Sequence, residues 1–320
     1  MKKSHLLTLF LLLCTIYTQA QNKKPKHIIL IGVDGLGAYS IPGSKLRAIN
    51  KQLSSDTSTN FVDEKYHTKA KVPTLEKLMK DGAYSLTTRS VLPSSSAVNW
   101  ASMTMGAGPE IHGYTEWGSK KPELPSRTLD RYGMFPSIFS LLKDQKPDAE
   151  IGVVYEWDGI GYLFPKKAVS LDANCEGDSA TALTASNYII NKKPNLLFIH
   201  LHDVDHIGHS IGHGTPEYYK SVSQTDAYIG QIVQAVQKAG IADETLIIVS
   251  ADHGGINKGH GGKTMQEMNI PWIAYGKSIK KKGEITESMM TYDTAATIAW
   301  LLNLKTPQAW IGRPVKQIFE

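Results

Sequence analysis

Cysteine is scarce here: 2 in 320 residues, with Cys14 inside an N-terminal apolar run and Cys175 beyond it. Once that run is removed no internal disulfide can form, and stability has to come from a large core. Excess charge is lacking too. Lys+Arg 35 against Asp+Glu 30 gives a formal +5, and loss of Lys2 and Lys3 lowers it to +3. So small a balance is no ground for binding duplex nucleic acid or an anionic membrane. There is no internal repeat, no low-complexity linker and no second long apolar span. A single unit without a membrane span is therefore expected after leader removal.

The leader is read from Met-Lys-Lys-Ser-His, an apolar stretch from Leu6 to Ile16, and Thr18-Gln19-Ala20 as a small-residue cleavage site. These predict a secretory signal peptide over residues 1–20 and an exported domain, periplasmic or secreted, over 21–320. Cys14 follows Leu13 rather than a small residue, which argues against a lipid anchor at that cysteine.

What the chain does have is a set of short apolar runs that each stop at metal-binding residue types. From Leu246 to Val249 every residue is β-branched or aliphatic, as in a strand buried on both faces of a parallel sheet. Asp252-His253 follows, then His260 among glycines at 254, 255, 259, 261 and 262. A carboxylate with two imidazoles suits zinc. Alone, the same residues also fit a turn cap and a polar loop. Residues 27–33 are a second such run, ending at Asp34. Residues 195–200 are a third, leading into His202-Asp203-Val204-Asp205-His206-Ile207-Gly208-His209.

Between these runs the spacing predicts helices over 73–82, 134–142, 177–191, 216–239 and 292–302. Strands are predicted over 150–155 and 272–275, and residues 36–63 read as loop. Strands alternating with helices argue for a mostly parallel sheet covered on both faces. Ligands in such sheets gather where the strands end. If the three runs are parallel neighbours, side chains far apart in sequence converge, and seven oxygen and nitrogen ligands shared between two ions would make a two-metal phosphoryl-transfer site.

The choice of ligands in the middle cluster stays open. Asp205 and His209, four apart, share one face of a helical turn, and Asp203 with His206 is the alternative. His200, His202 and His213 fit supporting or surface positions. Ser96 is the candidate nucleophile, at the start of a predicted helix whose free N–H groups and dipole suit a phosphate. Ser94, Ser95 or Ser96 as a plain N-cap is the competing reading.

The motifs resemble the alkaline phosphatase superfamily, in particular its type I phosphodiesterase/nucleotide pyrophosphatase branch. Residues 29–35 resemble the first metal-ligand strand. Pro93-Ser-Ser-Ser96-Ala-Val-Asn99-Trp, continuing to Gly108-Pro-Glu-Ile-His-Gly113, resembles the nucleophile helix and its following turn. Asp205-His-Ile-Gly-His209, Ser250-Ala-Asp252-His253-Gly and His260-Gly-Gly resemble the other ligand motifs. Tyr292 to Leu302, with Trp310-Ile-Gly-Arg-Pro, resembles the closing helix and tail.

The resemblance implies an alkaline-phosphatase-like three-layer α/β/α sandwich with a mostly parallel central sheet. It implies two divalent ions, of the zinc type, one held by Asp205, His209 and His260. Asp34, Asp252, His253 and the Ser96 oxygen would hold the other. The implied activity is hydrolysis of small-molecule phosphate esters, diesters first, through a phosphoseryl intermediate on Ser96. A phosphomonoesterase or phosphoryl-group transferase is the alternative enzyme, and an inactive metal-binding relative the alternative non-enzyme. A sulfatase is disfavoured, because no Cys/Ser-x-Pro-x-Arg surrounds Ser96.

Three departures stand out. Ser96 replaces the branch's usual Thr, and only Gly254 to Gly259 stand where nucleotide pyrophosphatases carry a long insertion. The branch's phosphate-binding Asn is missing from Tyr114-Thr-Glu-Trp117. Asn99 either takes over that substrate-binding role or is structural.

Overall fold

His27–Val33 forms β1, the strand about which the sheet is built, and every residue after His27 in it is buried. The computed structural model describes residues 24–44 and 70–320. The expected leader (1–20, with Cys14) and residues 45–63 of the expected loop lie outside the described residues.

After β1 come α1 (Pro73–Asp81), β2 (Ala83–Arg89), α2 (Ser96–Met105), α3 (Ile138–Gln145), β3 (Ile151–Tyr155) and β4 (Leu171–Asn174). Then follow α4 (Gly177–Lys192), β5 (Leu196–Leu201), α5 (Asp203–Ser210), α6 (Pro216–Lys238) and β6 (Thr245–Ser250). β7 (Asn269–Tyr275), β8 (Gly283–Glu284) and α7 (Asp293–Leu301) complete the chain's main elements.

The eight strands form one sheet in the order β4-β3-β5-β1-β6-β7-β2-β8. Only β7 runs against its neighbours. β1 is flanked in parallel by β5 and β6, with Gly32 opposite both His200 and Ser250, so the three strands end level.

Alternation along β1 explains the two covering layers. Ile28 and Leu30 enter a core with Trp100, Phe139, Phe198 and Ile298, drawn from α2, α3, β5 and α7. Ile29, Ile31 and Val33 enter the opposite core with Leu75, Ala185 and Ile229, from α1, α4 and α6. Each fully buried aliphatic contributes on the order of 1.5–3 kcal/mol of transfer free energy, and two such cores stand in for disulfides. The fold is the expected three-layer α/β/α sandwich.

The differences from the sequence reading are local. α3 begins at Ile138 rather than at 134, because Ser137 caps it reciprocally with Ser140. β2 and β4 were not expected. β4 is an edge strand of four residues with alternating exposure, and β2 is broken by polar residues, so neither carries a continuous apolar run.

Candidate metal centre

The level ends of β5, β1 and β6 deliver the expected ligands to one place. Asp34 follows β1 directly, α5 opens two residues past β5, and Asp252-His253 sits two residues past β6. On α5, Asp205 is buried and lies with His209 and His260, while His206 is exposed. The backbone N–H of Asp203 donates to Asp178 instead. Of the two pairings open in the sequence, the fold brings Asp205 and His209 together. Asp34, Asp252 and His253 form the adjoining group, all fully buried.

Each carboxylate commits one oxygen to the protein. Asp34 Oδ2 accepts from the Trp100 indole N–H at 3.3 Å and faces His200 Nε2 at 3.0 Å and His202 Nδ1 at 3.6 Å. Asp252 Oδ1 accepts from the N–H groups of Gly35 and His253, at 3.2 and 2.9 Å. Asp205 Oδ2 faces His209 Nε2 at 3.2 Å. The other oxygens, Asp34 Oδ1, Asp205 Oδ1 and Asp252 Oδ2, are buried with no hydrogen-bond partner. A buried anionic oxygen without a donor is costly, and a bound cation is the ordinary remedy.

The imidazoles point to the same conclusion. His253 Nδ1 faces the Gly254 carbonyl at 2.8 Å, His209 Nδ1 that of Lys258 at 3.0 Å, and His260 Nδ1 that of Ser94 at 3.1 Å. A carbonyl only accepts, so each Nδ1 carries a proton, and Nε2 is the nitrogen turned towards the carboxylates and left to serve a metal. His209 Nε2 and His260 Nε2 stand 3.0 Å apart. Carbonyls that fix the imidazole rings, beside carboxylates that each keep an oxygen free, are how a zinc-type site orients its ligands. These residues fit the implied ions.

The electrostatics agree. Burial pushes Asp252 well above the ordinary carboxylate range, and the nearby charges of Asp34 and Asp205 push it further. Burial also opposes ionisation of Asp34, but the hydrogen bond from His200 and the nearby imidazoles of His202 and His253 outweigh it and hold that group well below its usual range. His209 is raised to about 8 by its hydrogen bond to Asp205. His260 is lowered to about 4, first by burial and then by the charge of His253, which leaves it a neutral ligand at pH 7.

Ser96 opens α2 as its first helical residue and is not its cap. Ser95 is the N-cap, and its side chain makes no capping bond. The Ser94 hydroxyl is spent on the Gly262 carbonyl at 2.6 Å. Ser96 is 6 % exposed, and its Oγ lies 3.1 Å from His253 Nε2. One expectation about this helix end is corrected: the Ala97 N–H is not free, since the Trp117 carbonyl accepts from it at 3.0 Å.

Asn99 also needs correction. Its Oδ1 accepts from the Val91 N–H at 2.7 Å, and its Nδ2 donates to the carbonyls of Val91, Pro93 and Ser95. The amide is fully buried and used up on the backbone that leads into Ser96. It shapes the turn that leads into Ser96 and has nothing left for a phosphate. Spacing alone could not separate these roles, because both put Asn one turn into the helix.

His200 and His202 support Asp34, as described. His213 is fully buried, with Nε2 3.8 Å from Asp205 Oδ1 and both ring nitrogens unpartnered. The Trp100 indole as a brace for Asp34 carried no sequence signal beyond its place one turn after Ser96.

Comparison with known proteins fits this geometry. Residues 28–258 match the family described as Type I phosphodiesterase / nucleotide pyrophosphatase. GPI ethanolamine phosphate transferase 1 of Saccharomyces cerevisiae is 26% identical over 255 residues, 76% of this chain and 27% of that protein. GPI ethanolamine phosphate transferase 3 of Schizosaccharomyces pombe is 29% identical over 139 residues, 42% of this chain and 14% of that protein. The chain thus spans about a quarter or less of the length of these curated relatives.

Among solved structures, a 2-O GAG sulfatase superposes with a TM-score of 0.68 at 14% identity, covering 92% of this chain and 74% of that one. A murine ectonucleotide pyrophosphatase / phosphodiesterase 5, inactive and in complex with AMP, gives 0.67 at 15% identity, covering 92% and 100%. Likeness at such identity shows the shared fold alone. With the family match spanning most of the sheet and six of the seven expected ligands, the chain belongs to the type I phosphodiesterase/nucleotide pyrophosphatase family.

Proposed function

We propose that this chain is an exported, metal-dependent hydrolase of phosphate esters that prefers diesters and uses Ser96 as its nucleophile. The observation that carries the reading is the Ser96 hydroxyl, uncommitted to capping and 3.1 Å from His253 Nε2, beside three carboxylates that each keep one oxygen free. Asp34, Asp252, His253 and Ser96 would hold one ion, and Asp205, His209 and His260 the other, zinc suiting both sets. When bound, the ions supply positive charge that favours the ionised serine and offsets charge growing on the phosphoryl and leaving oxygens.

The chain's own residues do the rest. Asn99 fixes the turn that aims Ser96. His200, His202 and Trp100 hold Asp34 by one oxygen, and backbone N–H groups hold Asp252 likewise. Ser96 Oγ attacks phosphorus as the bond to the leaving alcohol breaks, and that alkoxide takes up a proton as the serine proton is lost to solvent. The second substituent stays on the seryl phosphodiester. Water then attacks phosphorus and gives up a proton to solvent as the bond to Ser96 breaks, the serine oxygen regains a proton, and a phosphomonoester departs.

Transfer to an alcohol instead of water is a second reading, favoured by the names of the matched curated relatives, which are ethanolamine phosphate transferases. It would bring a lipid-linked substrate into range. The test is zinc-loaded protein of residues 21–320 on aryl phosphodiesters, phosphomonoesters, nucleotides and sulfate esters, with and without glycerol as acceptor. Hydrolysis with a quench-trapped adduct on Ser96 supports the first reading. A glycerol phosphodiester as main product supports the second, and turnover of sulfate esters alone overturns both.

A further inference from the structure

Beside the nucleophile helix, at the same sheet edge as the ligands, lies a cavity of about 560 Å³ with a one-sided charge. Five of its lining residues are cations, Lys120, Lys121, Arg131, Lys166 and Lys167, and none is acidic. Arg131 and Lys166 are paired at 2.7 Å, with Asp144 and Asp172 from outside the cavity. Lys120 lies over the Tyr162 ring at 4.9 Å. Lys120, Lys121 and Lys167 have no carboxylate partner among the described residues. The nearby Glu123 is turned into its own loop, accepting from the Thr115 N–H and the Ser119 hydroxyl at 2.8 Å each. Three unpaired ammonium groups around one concavity raise its potential and favour an anion there. The floor is different in kind: Tyr114 and Phe164 are 2 and 3 % exposed, which suits an apolar or ring-bearing body beneath the charge.

The cavity's place ties it to catalysis. One wall is the segment whose Trp117 carbonyl caps Ala97, next to Ser96. Lys120 is three residues further, at most about 11 Å along the chain. The opposite wall includes Tyr162, at the end of the 3-10 turn Asp158–Tyr162 that packs against α2. That turn follows Trp157, whose ring lies 6.3 Å from His200, the residue behind Asp34. The cavity thus adjoins the segments packed around Ser96, on one side through Trp117 and on the other through the turn before Leu163.

We propose that this cavity is a substrate subsite for a second phosphate, carried on an alcohol of the scissile ester. The inference rests on Ser96 being the nucleophile of a phosphate ester hydrolase, and it names the substrate class: esters whose alcohol is itself phosphorylated. Lysine ammonium groups serve as point-charge phosphate binders, and their attraction is screened by salt.

The experiment uses zinc-loaded protein of residues 21–320 and two chromogenic diesters, 4-nitrophenyl 6-hydroxyhexyl phosphate and 4-nitrophenyl 6-phosphohexyl phosphate. At low salt the phosphorylated substrate should have kcat/KM about tenfold higher, through KM, and the ratio should fall towards one at about 0.5 M salt. In a Lys121→Ala/Lys167→Ala variant the ratio should also approach one. Equal kcat/KM in the unaltered protein, or an advantage that survives the double substitution, overturns the subsite. Calorimetric titration with 1,6-hexanediol bisphosphate runs alongside. If neither diester is turned over, the hydrolase reading fails on its own. Binding that is weakened in the double variant then still supports the subsite, and binding that is absent or unchanged removes it.

Discussion

The imidazole of His213 lies so close to Gly255 that a methyl group on that glycine would meet ring atom Cε1 at 2.3 Å. A Cβ on Gly208, in α5 between Asp205 and His209, would meet the same atom at the same distance. The ring is thus clasped between the two ligand-bearing segments. Gly255→Ala should destabilise the protein by about 1–3 kcal/mol through overpacking. His213→Ala in the same chain should return part of that loss, since the clash goes with the ring. Urea denaturation of the two single variants and the double gives the coupling. A strictly additive double variant would show that the contact does not matter.

Metal content follows from the inward-facing Nε2 atoms and the free carboxylate oxygens. Purified protein of residues 21–320 should carry about two divalent ions per chain, as a two-metal site requires. Asp205→Ala or His260→Ala should lose mainly one ion and Asp252→Ala mainly the other, read by elemental analysis. Active protein devoid of metal would rule the site out.

Removing the Ser96 hydroxyl should stop turnover without disturbing the fold, because that oxygen caps nothing. Ser96→Ala should lose roughly a thousandfold or more in kcat, the scale on which loss of a covalent nucleophile registers. Ser96→Thr should keep measurable activity. Full kcat in Ser96→Ala moves the nucleophile to Ser95, whose hydroxyl is buried and unpartnered, or to water.

A monoester dianion brings one more charged oxygen than a diester, and catalysis needs a donor aimed at it. Lys258 is not that donor, since its Nζ is held on the Ser210 carbonyl at 2.7 Å. Asn99 is excluded by its four backbone bonds. An aryl phosphodiester should therefore have higher kcat/KM than the matching aryl monoester on one enzyme preparation. A monoester preference of about a hundredfold, ~2.7 kcal/mol in transition-state binding, would make the protein a phosphatase. Lys263→Ala would then be the next variant to measure.

The central strands, and the gathering of the candidate ligands at their ends, were legible because burial on both faces leaves a plain mark. β1, β5 and β6 are uninterrupted aliphatic runs, and each stops at a residue type that a core would not tolerate unpaired. Asp205 with His209 was legible by helical spacing, though choosing it over Asp203 with His206 took the fold. β2 and β4 were not legible, since edge and polar strands owe their existence to partners far away in sequence. Asn99 was ambiguous for another reason: a side-chain amide one turn into a helix looks the same in sequence whether it bonds a ligand or a backbone turn. Nor could the cationic cavity be read, because Lys120 and Lys167 are brought together only by the packing of the turn after β3 on α2.

The level ending of β5, β1 and β6 has one more consequence. Asp34 and Asp252 meet across a sequence separation that closes most of the chain into a loop, and Ser96 meets His253 across |i−j|=157. Among the described residues Cys175 is the lone cysteine. An ion shared by these groups would tie distant segments together as a covalent crosslink does, but reversibly and in proportion to free metal. At a metal concentration 100 times Kd, each such site adds about 2.7 kcal/mol to folding. Chelation would then act on this chain as reduction acts on a disulfide-bonded one, loosening the whole molecule rather than merely silencing its chemistry.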